Sequence, residues 1–276
     1  MIGVFAVISI ITAAVLLAIA SIEDLKTREV PDYVSYLLIG SGIIIRVLWF
    51  LYEKNVAVVF WMPTAFLILG GFSYMLYRSG QWGGGDVKIM AGVALLLSSF
   101  PGETVPFFFN FLINSLVVGA IYGAIGIAFT VIKNRRKVEF RWYELVLLPV
   151  FFIMSIVLIY STPLFFSFFG VFIMVSVLSL IFFKKVEEVG MQKELPVKKL
   201  TEGDWLVDDV KLNGKTFLKK RNIGLTMEDI EKLRGEKRIK KVKIKTGIPF
   251  VPVFLITLFV TLLVGNILIR IVASSI

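Results

Sequence analysis

A chain of 276 residues with no His and no Cys has few routes to covalent chemistry. It cannot build a Ser-His-Asp triad, a Cys-His pair, an imidazole-held zinc or a thiolate metal site. Carboxylates, hydroxyls and amines remain, and two aspartates stand out by position. Asp24 follows a long uncharged segment, in Ala20-Ser21-Ile22-Glu23-Asp24-Leu25-Lys26. Asp86 follows Gly83-Gly84-Gly85 and opens another apolar run. A pair of carboxylates at comparable depth is the minimum equipment for aspartic protease chemistry. Held close together they cannot both ionise easily, so they share a proton. The ionised member draws a proton from water, and the protonated one hydrogen-bonds the scissile carbonyl and later helps protonate the leaving amine. That scheme calls for no metal and no cofactor. Two other readings stand beside it: proton sites of a coupled transporter, or helix-end charges paired with Lys26, Arg28 or Lys88.

The elements that must position these acids are apolar. Hydrophobic residues make up 57% of the chain without counting Gly, against about 45–50% with Gly in a soluble domain. Of the 50 Asp, Glu, Lys and Arg, 29 fall in 184–247, leaving 21 for the other 212 residues. The pattern is that of a polytopic α-helical membrane protein with one polar insert. Candidate spans are 1–22, 33–52 (interrupted by Arg46), 55–77, the short 86–100, 105–132, two within the uncharged 145–183, and 249–269. The 39-residue stretch 145–183 divides naturally at Ser161-Thr162-Pro163. Residues 1–22 lack a basic n-region or an A-x-A-like cleavage site and read as a retained span. Gly119-x-x-x-Gly123 in the fifth span offers close helix contact. The sequence thus predicts about eight spans, grouped as a membrane domain (1–183), a small cytoplasmic α+β insert (184–247) and a last span (248–276).

Lysine and arginine set the orientation. With the first loop in the cytoplasm, the cluster Lys133, Arg135, Arg136, Lys137 and Arg141 also falls inside. So does the insert, with 18 basic and 11 acidic residues. Only Arg46, Lys54 and Arg270 fall on or toward the outer side, against 27 inside. Both aspartates then sit at the cytoplasmic face. Within the insert, Asn213-Gly214 between short strand-like runs predicts a hairpin. Thr226-Met227-Glu228-Asp229 predicts a helix start that Gly235 would close. Lys240–Lys245 alternates basic and apolar residues and reads as an edge strand or a strip on anionic lipid headgroups. Nothing accompanies the charge that would mark a nucleic-acid partner.

Two local patterns bear on the acids. Ala13, Ala14, Leu17, Ala20 and Ser21 lie on the helix face above Asp24, a mostly small stripe suited to helix packing with the carboxylate inward. The three glycines before Asp86 give the backbone access to positive φ and let another chain approach. A helix over 86–100 would be roughly 22 Å long, short of the hydrocarbon thickness of about 30 Å. Its acidic end would therefore sit below the cytoplasmic surface.

The residues resemble the archaeal preflagellin and prepilin peptidases, GxGD-class membrane aspartic proteases of the type IV prepilin peptidase family. Ser21–Tyr33 is similar to that family's aspartate at the end of its first helix with the polar loop after it. Gly83-Gly84-Gly85-Asp86-Val87-Lys88 is similar to its GxGD box, and Gly247–Pro252 leads into the last helix in a similar way. The resemblance implies that Asp24 and Asp86 are the catalytic pair. It also implies substrates with a short basic leader before a hydrophobic helix, cut at the cytoplasmic face. The presenilin-like Pro-Ala-Leu motif is missing, as is the Cys-rich zinc loop of bacterial relatives that also methylate their product. Glu23 and Asp32 would meet the basic leader, or are solvated loop charges. Lys88 would act on Asp86 or hold its loop, or is an interfacial lysine. Gly83 and Gly85 would admit the substrate strand by shape.

Overall fold

A computed structural model describes residues 3–133, 192–221, 224–245, 247–267 and 269–270, with scattered helical positions between 146 and 157. Helix α1 (Val4–Thr27) buries Ala6, Ser9, Ala13, Leu17, Ala20, Ser21 and Asp24 at spacings of three and four. These residues form one packed stripe while the opposite face stays apolar and exposed, as lipid contact requires. Arg28 ends the helix in the left-handed region, φ 61°, and its N–H bonds the Asp24 carbonyl at 2.8 Å. Helix α2 (Asp32–Glu53) starts directly after Pro31. The apolar segment Ala57–Arg78 comprises α3 (Ala57–Ala65), a π-helical turn (Phe66–Gly70) and α4 (Gly71–Arg78). Helices α5 (Gly84–Leu96) and α6 (Phe107–Lys133) follow, and α8 (Val251–Val264) comes after the insert.

The protein is mostly helical, and among the described residues four helical segments are long and apolar enough to cross a membrane: Val4–Thr27, Asp32–Glu53, Ala57–Arg78 and Phe107–Gly126. With 13 and 14 residues, α5 and α8 are shorter, about 20 Å each. The two spans expected in 145–183 lie outside the described residues apart from the scattered helical positions up to 157, as does the basic cluster between Lys133 and Arg141 apart from the end of α6.

Helix α5 packs against α1, α2, α3, the π turn and α4, which explains an apolar surface without a polar side. Its contact with α2 is backbone on backbone. A Cβ on Gly92 would stand 2.5 Å from Leu38 Cβ, and one on Gly42 would stand 2.9 Å from Leu96 N. Arg46, which the charge pattern puts toward the outer side of span two, is completely buried. Its guanidinium donates to the Leu96 carbonyl at 2.9 and 3.2 Å and to the Ser99 carbonyl at 2.6 Å. Its charged carbon also lies 5.3 Å from the centres of both the Trp49 and Phe100 rings. A cation at the C-terminal carbonyls of α5 satisfies the groups that a helix ending inside apolar surroundings would leave bare.

Helix α8 sits between α1 and α6. The small-residue contact on α6 uses Gly119 and Gly126, not the expected Gly119 and Gly123. Added Cβ atoms would meet Phe250 at 2.9 Å and Ile248 at 3.1 Å, whereas one on Gly123 would meet nothing within 4 Å among the described residues. The seven-residue spacing keeps both glycines on one face, which Gly123 only borders. At the far end, Asn114 donates to Thr261 Oγ1 at 3.0 Å and to the Gly265 carbonyl at 2.6 Å.

In the insert, β1 (Gln192–Pro196), β5 (Lys241–Lys245) and β2 (Trp205–Leu206) form an antiparallel sheet in the order β1-β5-β2. Lys241–Lys245 is therefore the central strand, correcting the edge-strand expectation. Val242 and Ile244 face the insert's core while Lys241 and Lys243 are exposed. The hairpin of β3 (Val210–Leu212) and β4 (Lys215–Leu218) turns at Asn213 and Gly214. Both have positive φ, 51° and 78°, as a tight hairpin turn demands. Helix α7 (Met227–Gly235) begins with the expected reciprocal cap: Thr226 Oγ1 accepts from Asp229 N, and Asp229 Oδ2 accepts from Thr226 N. Burial pushes the Asp229 carboxyl up, but the Thr226 donors and the Arg221 guanidinium at 3.2 Å outweigh it and hold the group below the usual range.

Candidate active site

The small stripe of α1 carries Asp24 into the bundle, where only 6% of its surface remains exposed. There its Oδ2 accepts the Val251 N–H at 2.9 Å. Val251 is the first residue of α8, whose leading N–H groups have no partner within the helix, so a carboxylate is a natural cap. The cap is long-range, joining residues 227 positions apart in the chain. Asp86 sits in the first turn of α5, and its Oδ2 accepts the Gly83 N–H at 3.0 Å. Each aspartate thus closes a helix N-terminus, and the Asp24 charge acts on Asp86 across the gap between α1 and α5. The fold thus places the two acids, from separate helices, within electrostatic reach of each other.

The glycine triplet does its work differently from the expectation. Gly83 is extended (φ −80°, ψ 162°), Gly84 and Gly85 belong to the first turn of α5, and positive φ occurs earlier, at Gly80. Gly85 is needed for approach: a Cβ there would stand 3.0 Å from Val30 Cβ. The space at Gly85 is thus filled by the α1–α2 loop, which lies over the start of α5. Trp82 packs between Phe72, Phe250 and Phe254, walling the site on the α8 side.

The charged candidates divide. Lys88 is two residues from Asp86 and so on the other side of α5. It pairs with Asp32 Oδ1 at 2.5 Å and lies 5.8 Å from the centre of the Tyr36 ring. Lys88 and Asp32 therefore tie α5 to the start of α2. Glu23 is 3.7 Å from Lys26 on its own helix. Glu29, which sequence reasoning passed over, accepts from Thr201 Oγ1 at 2.9 Å, and Arg28 donates to the Gly247 carbonyl. The insert is thus fastened to the loop that follows Asp24. At this seam Asp204 accepts the Thr201 N–H. Burial, reinforced by the Glu29 charge, holds the Asp204 carboxyl above its ordinary range.

Arg46 and the Val251 amide also escaped sequence reasoning. An arginine alone in an apolar span was the available signal for the first. A backbone donor leaves none for the second. A cavity of about 310 Å³, lined by Glu103, Asn110 and Asn266 among others, opens at the opposite end of α6 from the aspartates. Among the described residues no group of three or more carboxylates converges as a metal site would require.

Apolar helices of spanning length, with an aspartate at each of two helix ends, define a membrane protein. Comparison with known proteins narrows that class. Residues 11–124 match the type IV leader peptidase family, and both aspartates lie inside the matched segment. The chain is similar to a preflagellin peptidase of Methanococcus maripaludis, with 30% identity over 93 residues, 34% of this chain and 40% of the relative. It is also similar to the prepilin peptidase EppA of Methanothermobacter thermautotrophicus, with 26% identity over 157 residues, 51% of this chain and 40% of the relative. The chain thus spans about two fifths of each relative's length. The family resemblance carried by the two aspartate motifs is borne out. No solved structure matches the chain.

Proposed function

We propose that this protein is a membrane-embedded aspartic endopeptidase that removes a short basic leader from prepilin- or preflagellin-type precursors. The observation that carries the reading is that Asp24, at the end of α1, and Asp86, at the start of α5, lie within electrostatic reach of each other inside the segment that matches the leader peptidase family. One carboxylate activates water and the other, protonated, polarises the scissile carbonyl and serves the leaving amine, without metal or cofactor. The relatives' names support precursor proteins as partners, and the family match favours hydrolysis over proton-coupled transport. Gly83 lies beside Asp86, where an extended substrate strand would pass. Glu23, together with Asp32 bridged to Lys88, offers negative charge to a basic leader at the membrane surface. The excess of Lys and Arg in the insert supports a cytoplasmic position for the site, with membrane lipids around the helices.

The test is incubation of purified protein with one prepilin and one preflagellin precursor, with product masses measured. Wild type should release the leader at a single bond, and Asp24→Asn and Asp86→Asn should each abolish cleavage while inserting normally. Full cleavage by both single variants, in a preparation free of other peptidases, would overturn the assignment.

A further inference from the structure

We infer that Tyr122 is a positioning residue of the aspartate pair, its phenolic O–H donating to the Asp24 carboxylate in the assembled site. The inference rests on the catalytic reading above and adds a third side chain to it. Helices α6 and α8 run antiparallel, and their contacts descend in order: Asn114 with Thr261, Gly119 with Phe250 and Val253, Gly126 with Ile248. Tyr122 lies three residues after Gly119 and four before Gly126, so it borders their face on the side opposite Gly123. It is therefore level with the start of α8, where the Val251 N–H holds Asp24 Oδ2.

The two glycines let the start of α8 close onto α6, and Tyr122 stands between them as the large side chain, half-buried. Its phenol is within electrostatic reach of Asp24. A tyrosine hydroxyl in apolar surroundings needs a partner, and an ionised carboxylate accepts at several lone-pair sites. With the Val251 amide on one side and the phenol on another, the plane of the Asp24 carboxylate is fixed and an acceptor site is left for the attacking water.

Tyr122→Phe keeps the ring and removes only the hydroxyl. In the precursor assay its kcat should fall about 10–100-fold with KM within about twofold of wild type, the mark of a donor used at the reacting centre. A second arm does not depend on proteolysis. In full-length protein labelled with 13Cζ-tyrosine, the Tyr122 resonance, identified by its loss in Tyr122→Phe, should shift between wild type and Asp24→Asn. Wild-type kcat in Tyr122→Phe, or the same Tyr122 resonance with and without the Asp24 charge, would overturn the inference. If wild type cleaves neither precursor, the proposed function falls, and the resonance arm decides the Tyr122–Asp24 contact by itself.

Discussion

Under the proposed function Asp24 holds two jobs in one carboxylate. As an acid at the end of α1 it would serve the reaction, and as an acceptor for Val251 N–H it caps α8. The two jobs separate by substitution. Asparagine keeps an oxygen for the Val251 N–H but cannot act as an acid or base, so Asp24→Asn should leave thermal stability in detergent near wild type. Alanine removes the acceptor as well and should lower stability further, by about 1 kcal/mol, as loss of a helix cap does. Equal melting of the Asn and Ala variants would show that the cap contributes nothing. The candidacy of Asp24 and Asp86 was legible because acids are scarce around these apolar segments. The Val251 contact was not, because a backbone N–H carries no sequence signal and its partner lies 227 residues away.

At the scale of elements, the short helix α5 is the part to explain. Its 13 residues are too few to cross about 30 Å of hydrocarbon, and Arg46 from α2 accounts for the far end by binding the Leu96 and Ser99 carbonyls. Arg46→Met would fill similar space but leave those carbonyls bare. It should destabilise the fold by about 1–3 kcal/mol for each carbonyl left without a donor, read as a lower melting temperature in detergent. A melting temperature equal to wild type would show that the α5 end finds other partners. The sequence marked α5 as short and Arg46 as out of place without joining the two facts. Joining them needs the α2–α5 crossing, which Gly42 and Gly92 permit by letting the backbones touch. In the insert, by contrast, the Asn213-Gly214 turn and the Thr226 cap were legible from local chemistry. The central position of β5 was missed because alternating residues specify a half-buried strand but not its neighbours.

For the whole molecule, the insert is pinned to the helices at Glu29 and Arg28, and the proposed orientation rests on the charge distribution. A chain without cysteine suits single-cysteine mapping. Val56→Cys, in the α2–α3 loop, should react with a membrane-impermeant maleimide added outside intact cells. Lys215→Cys, at the tip of the insert, should react only after the cells are opened. Labelling of Lys215→Cys in intact cells would invert the topology and move the aspartates to the other face.

By itself the sequence determined the apolar helices, the polar insert with its local turns and caps, and the candidacy of two aspartates in a chain without imidazole or thiol. These follow from composition, from hydrophobic runs and from contacts within a few residues. The tertiary structure decided which groups meet: Asp24 with the start of α8, Arg46 with the end of α5, Gly85 with Val30, and Lys88 with Asp32 rather than Asp86. Each joins residues dozens to hundreds of positions apart, and such pairings arise only when helices cross at a particular depth and rotation, which no local pattern encodes.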